Sequence, residues 1–344
     1  MPEIIQNTLY VMTQGAYIHR DHLTIKVEVE KETRLVVPIH HLTSVAVFGS
    51  VMVSPGAMEL CLEAGASLTF LSETGRLVAR VDAPVSGNVL LRREQFRWAD
   101  RPESCASVAR NIVAGKLQNT RGVLLRGARE AKESSDQAVL TSAADGIAES
   151  FRPLELAKTL DSIRGFEGES ARRYFGAFNH LLRQDRAGFS INGRNRRPPL
   201  DPTNAMLSFT YALLLHDCVA AATSAGLDPN VGFLHEDRPG RPSLALDLME
   251  EFRPLIADRL VLTLINRQEI RVKDFKKRDG GAVEMSDTAR KTLVTSWQKR
   301  KQEEVTHPFL DQKTTIGLLP FIQAKLLGRH IRGDLPAYIP CILK

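Results

Sequence analysis

The sequence predicts an α+β chain, with an N-terminal β-rich domain over residues 1–95 followed by an all-α domain over residues 96–344. Three observations predict it. Up to about position 90, runs rich in Val, Ile, Thr and Leu are punctuated by glycines and charged turns, the pattern of short half-buried strands. Beyond about position 100, apolar residues recur every three or four positions, the period of helices. A length of 344 residues suits two domains or one large one with an accessory part.

In the first domain LYVMTQGAYIHR, HLTIKVEVE, TRLVVPIHHLTSVAVFG, ASLTFLSETG and RLVARVDAP read as strands. Leu23, Ile25, Val27 and Val29 alternate with polar residues and share one face. SETGR is a hairpin turn. SPGAMELCLEAGA breaks the pattern as a short helix that starts at Ser54-Pro55 and ends at Gly65. His40 and His41 are adjacent, so in a strand they would point to opposite faces and serve no common site.

The second domain reads as successive helices. Pro102 divides the first two, and Val108 and Ile112 mark the apolar side of the second. FEGESARRYFGAFNHLL places Glu167, Ser170, Tyr174 and Phe178 on one face. DPTNAMLSFTYALLLHDCVAAATSAGL has Asp201 as a cap, Pro202 at its start and Gly226 at its end, with Asn204, Ser208 and Tyr211 aligned. LIADRLVLTLINR is a core helix after Pro254, KDFKKRDGGAVEMS is a basic turn region, and the apolar tail DLPAYIPCILK is expected to pack. Short strands in this half are expected only near 189–192 or 231–234.

Composition is that of an ordinary globular protein, 43% hydrophobic and 25% charged. Cys61, Cys105, Cys218 and Cys341 are far apart, with no CxxC, and read as buried thiols in a reducing compartment. No signal peptide is visible, and the apolar runs read as too short to span a bilayer, so a cytoplasmic location is expected. The net charge of +6 is concentrated at residues 183–197, 267–278 and 290–301, which suggests a polyanionic partner. The competing reading is that these arginines and lysines only solvate helices and loops.

The informative stretch is LDPNVGFLHEDRPGRPSLALDLMEEFR, residues 227–253. Asp247 and Glu250 lie three apart on one helical face among leucines, and His235 stands on the Gly/Pro-rich loop before them. Two readings stay open: a solvated acidic face beside a loop histidine, or acids sharing a site with a cation, since like charges repel at that spacing. Glu167 offers a further carboxylate from a distant helix. A histidine with carboxylates and no thiolate suits Mg2+ or Mn2+. Beside arginine-rich loops, such an ion points to phosphodiester chemistry. No GxSxG, HExxH, GxxxxGK[ST] or GxGxxG motif is present.

FEGESARRYF, NAMLSFTYALL and GFLHEDRPGRPSLALDLMEEFRP, in this order after a β-rich block, resemble the CRISPR-associated spacer-acquisition integrase/endonuclease family. The likeness spans essentially the whole chain, and the HEDRPGRPSLA stretch resembles the subtype C form of type I systems. The resemblance implies an N-terminal β domain joined to an α-helical catalytic domain. It implies Glu167, His235 and Glu250 as ligands of Mg2+ or Mn2+, with Asp247 shaping the site. It further implies a homodimer, a small ferredoxin-like companion protein, and DNA substrates. These are double-stranded DNA with single-stranded 3' ends and CRISPR repeat DNA, joined by transesterification. Two other functions remain to be separated from this one: a non-catalytic DNA-binding scaffold, and an unrelated metal-dependent phosphodiesterase.

Overall fold

The computed structural model describes residues 7–81, 88–195 and 198–343. It is a mixed α+β chain, β-rich at the N-terminus and mainly helical after it. Two compact units emerge: Met1–Gly87 with Val294–Glu303, and Asn88–Leu293 with Glu304–Lys344.

The first unit holds two four-stranded sheets. In one, Thr8–Val11, Ser44–Phe48 and Ser67–Leu71 run parallel, and Leu77–Val81 closes the edge antiparallel. In the other, Tyr17–Asp21, Thr24–Val29 and Glu32–Pro38 form an antiparallel meander, with Met52–Val53 added in parallel. The run LYVMTQGAYIHR is therefore two strands in different sheets. Gly15 breaks it: its φ of +75° is one that L side chains rarely adopt, and its N–H bonds to Ser50 O at 2.8 Å. Ile25 and Val27 are buried as the alternation predicts, while Leu23 sits exposed in a turn. The SETGR turn forms with Gly75 at φ +87°, and the helix Pro55–Glu63 is capped by the Ser54 side chain on Ala57 N–H. His40 and His41 lie in a 3-10 turn, Ile39–His41, and not in a strand, so their rings meet at 4.2 Å.

The second unit is built around the long helix Pro102–Arg129 and the helix Pro202–Ser224. The latter is capped by Asp201 on Asn204 N–H at 2.7 Å. Contrary to the sequence expectation, this helix is long and apolar enough to cross a membrane, but 72% of its apolar window is buried within the unit. The second unit is mainly helical as expected, and it adds two small hairpins that the sequence did not announce. Phe275–Lys277 pairs with Val283–Met285 around Gly280 and Gly281, both at φ near +86°, and Glu304–His307 pairs with Gln312–Thr315. These strands are three or four residues long and mostly charged or polar, too short and too exposed to show a period of two. Neither 189–192 nor 231–234 forms a strand. The tail packs as expected, with Tyr338 and Cys341 buried, and all four cysteines are free and buried.

Candidate functional site

The helix Ser243–Phe252 carries three acids, and none faces water: Asp247 is 0% exposed, Glu250 2% and Glu251 0%. The solvated-face reading of this helix is thereby overturned. A buried carboxylate is costly unless paired, and each of the three has a different set of partners.

Asp247 organises the preceding loop. Its Oδ2 accepts the backbone N–H groups of Phe233 (2.6 Å) and Leu234 (3.0 Å), and its Oδ1 that of His235 (2.9 Å). Oδ1 also lies 2.7 Å from His235 Nδ1. Gly232 permits this approach, because a Cβ there would lie 2.8 Å from Ser243 Cβ and 3.0 Å from Asp247 Oδ2. Arg164, on the helix Leu160–Ala177, donates to Leu234 O at 2.9 Å and holds the loop from outside. With Nδ1 engaged, His235 turns Nε2 toward Glu250, 3.8 Å from its Oε1.

Glu250 gathers the cations. Arg253 Nη2 reaches its Oε1 at 3.1 Å, and Lys116 Nζ its Oε2 at 2.6 Å. Burial alone would raise the Glu250 pKa, but the Arg253 and Lys116 cations outweigh it and hold the carboxyl well below the usual range. The same Lys116 ammonium pairs with Glu167 Oε1. Burial pulls that lysine down, yet Glu250 and Glu167 hold it above the ordinary lysine range.

Glu251 faces the opposite way. It accepts from Tyr338 Oη (2.5 Å), Cys341 N–H (2.7 Å) and Gln323 Nε2 (3.2 Å), and burial raises its pKa to about 8 despite these donors. Asn119 ties the same layer together, donating to Glu251 O and Cys341 O. Directly after Phe252 the helix widens into a π turn, Arg253–Asp258, before Arg259–Asn266 continues it.

Two cavities adjoin Glu167. One, of about 560 Å3, is lined by Lys116, Glu167, Tyr174, Phe175, Arg194, Tyr211, Arg253 and Asp258 among others. Within it Arg194 and Arg253 lie 5.1 and 5.0 Å from the Tyr211 ring centre. Tyr211 donates to Asp258 at 2.7 Å, and burial raises Asp258 to about 6. The other, of about 300 Å3, is lined by Arg164, Glu167, His235, Arg238 and Arg241 with Leu234 and Glu236.

The four residues singled out from sequence are thus brought together: Glu167 and Glu250 through Lys116, and His235 to Glu250 and Asp247. They are not preassembled as a cage, since no group of three or more His, Cys, Asp or Glu donors closes on one point among the described residues. The donor set nevertheless fits a hard cation. Glu250 Oε2 is buried with the Lys116 ammonium 2.6 Å away as its one neighbouring charge, so a lone pair remains for a cation. Asp247 is spent on the loop and on the histidine ring. Among the basic clusters, Arg186 pairs with buried Asp136 and Arg194 turns inward to Asn204 and Ser208, whereas Lys276 and Lys277 are exposed. Arg196 and Arg197 lie outside the described residues.

Lys116 and Arg253 were not anticipated. The signal for Lys116 was present: Val108, Ile112, Lys116 and Thr120 recur every four residues, which places a lysine on a buried stripe.

Comparison with known proteins gives an independent line of observation. The family model for CRISPR associated protein Cas1 matches residues 9–299. A CRISPR-associated endonuclease Cas1 of Moorella thermoacetica is 50% identical over 337 residues, 98% of each chain. Among solved structures, a CAS1 protein from Thermotoga maritima superposes with a TM-score of 0.81 at 25% identity, over 95% of this chain and 97% of that one. A casposase bound to integration product shares the fold at a TM-score of 0.83 and 22% identity, over 97% and 93%.

Proposed function

Because the chain belongs to the Cas1 family, we propose that it is a divalent-metal-dependent DNA endonuclease and integrase of CRISPR adaptation. It joins the 3'-hydroxyl ends of spacer DNA to the repeat array by transesterification. The observation that carries this reading is the convergence of three separate segments beside two basic cavities: Glu167 and Glu250 share the Lys116 ammonium, and His235 faces Glu250.

Glu167, His235 and Glu250 would hold the ion, and Mg2+ or Mn2+ bound there would polarise a phosphoryl oxygen and favour a deprotonated hydroxyl. The chain's own residues do the positioning. Asp247 keeps the proton on His235 Nδ1, so Nε2 presents its lone pair toward Glu250. Arg253 and Lys116 keep Glu250 ionised. The larger cavity offers Phe175, Tyr174 and three arginines, the side-chain types that receive an unstacked nucleotide and its phosphates. The smaller offers three arginines for a second strand's backbone.

The reading includes double-stranded DNA with single-stranded 3' ends and CRISPR repeat DNA as substrates. A homodimer, the small ferredoxin-like companion, a cytoplasmic location and the subtype C branch complete it. It is tested by incubating the chain and companion with a spacer-sized duplex, supercoiled array DNA and Mn2+ or Mg2+. Joined products are expected, and they should vanish in His235→Ala while DNA binding persists. Binding without joining under all metal conditions would leave a scaffold, and turnover of a small phosphodiester without joining would leave an unrelated phosphodiesterase.

A further inference from the structure

We propose that Lys116 is a catalytic residue: its ammonium is a fixed cation of the site, held between Glu167 and Glu250 and presented to the phosphate being transferred. The inference deepens the integrase reading above and rests on it.

Lys116 sits on the long helix Pro102–Arg129 and is only 8% exposed. A buried ammonium is strongly disfavoured without compensating charge. Its only partners among the described residues are Glu167 and Glu250, each from a different helix and each an expected metal ligand. The helix is adapted to bring it there. At the preceding position, Gly115, a Cβ would lie 2.7 Å from Pro340 and 3.3 Å from Glu251, so a larger residue would push the helix away from the acids.

An ammonium has three N–H donors. Two carboxylate partners leave one, and Lys116 is part of the wall of the 560 Å3 cavity. Charge points the same way. Glu167 and Glu250 are matched by Lys116 and Arg253, so the protein's own charges at this point already balance. A divalent ion held by the carboxylates would then have its charge met by the phosphodiester and the attacking strand, which leaves the Lys116 charge for the phosphate. In the transfer, the 3'-oxygen bonds to phosphorus as the bond from phosphorus to the array's 3'-oxygen breaks. The attacking hydroxyl gives its proton to solvent, and the departing oxygen takes one up. Lys116 keeps its protons throughout and donates a hydrogen bond to a non-bridging oxygen as charge builds there.

The test uses the full chain as Lys116→Met, Lys116→Arg and wild type. It measures Mn2+ affinity by titration, melting temperature, and joining in the assay above. Methionine keeps the length of the side chain and removes the charge. Joining is expected to fall about 100-fold in Lys116→Met, the usual cost of one transition-state donor. Mn2+ affinity should instead hold or tighten, by about tenfold, because a competing positive charge is gone. Lys116→Arg should recover at least about tenfold of the lost joining. A lysine that only supports the fold would lose Mn2+ affinity, melting temperature and joining together, and that pattern overturns the proposal. So does joining by Lys116→Met within about threefold of wild type. If wild type joins no DNA at all, the integrase reading fails, while the Mn2+ titration of the variants still reports whether the lysine competes at the carboxylates.

Discussion

Asp247 Oδ1 lies 2.7 Å from His235 Nδ1 and 2.9 Å from the His235 backbone N–H, so one oxygen sets both the ring and the chain of the histidine. Asp247→Ala would leave three backbone N–H groups, two buried and one part-buried, without an acceptor. At the usual cost of unsatisfied buried donors, a stability loss of about 3 kcal/mol or more is expected in urea unfolding. Mn2+ affinity should fall roughly 10- to 100-fold, because the ring loses its orienting partner. Wild-type unfolding in this variant would show that the loop holds itself.

The two outer carboxylates should behave differently on removal. Glu250 is buried between Lys116 and Arg253, so Glu250→Ala strands two cations and should cost roughly 3–5 kcal/mol. The Glu167 side chain is 28% exposed and leaves Lys116 its second partner, so Glu167→Ala should cost about 1 kcal/mol or less. Both should abolish joining. Equal stability losses in thermal unfolding would contradict the assignment of burial.

Asp258 makes stability depend on pH in a particular direction. Burial raises it from 3.8 in the ordinary range to about 6, so between these values the unfolded chain loses its proton and the folded chain keeps it. At this group the folded state binds more protons in that window, so its contribution to stability falls as pH rises from about 4 to 6. The contribution is roughly 3 kcal/mol at most, and it is fully present below the unfolded value. Asp258→Asn should flatten this part of the profile in unfolding measured across pH. An unchanged slope would place the titration elsewhere.

Tyr338→Phe removes one hydroxyl that serves two buried partners, Glu251 and Gln323. A loss of about 1–3 kcal/mol is expected from denaturant midpoints. No loss would mean that Glu251 is held by Cys341 N–H and Gln323 alone.

Much of the local structure was legible because its causes are local. Ser54, Gly75 and Asp201 sit where the capping and turn rules place them. The small hairpins at 275–285 and 304–315 were not, since strands of three or four residues set no period. The candidate site divides in the same way. Glu167, His235, Asp247 and Glu250 could be picked out by residue type and by family likeness, but their meeting is a tertiary fact with no trace in spacing. Whether the acids of Ser243–Phe252 faced water depended on partners as distant as Lys116 and Cys341. Lys116 could have been found, because a lysine four residues beyond Ile112 on the Val108–Ile112 stripe contradicts the stripe's apolar character. Arg253 could not, because three residues after Glu250 it reads as an ordinary helical ion pair, and the π turn that follows has no sequence signature beyond Pro254.

The clasp of Glu251 on Tyr338 and Cys341 bears on how the protein is made. The partners are 87 and 90 positions apart in the chain. At ribosomal speeds of about 5–20 residues per second, roughly 5–20 seconds separate the synthesis of Glu251 from that of Cys341. Through that interval the acid that backs Glu250 has neither its tyrosine nor its backbone donor. A nascent chain therefore carries every expected metal ligand before it can brace the helix that holds two of its acids.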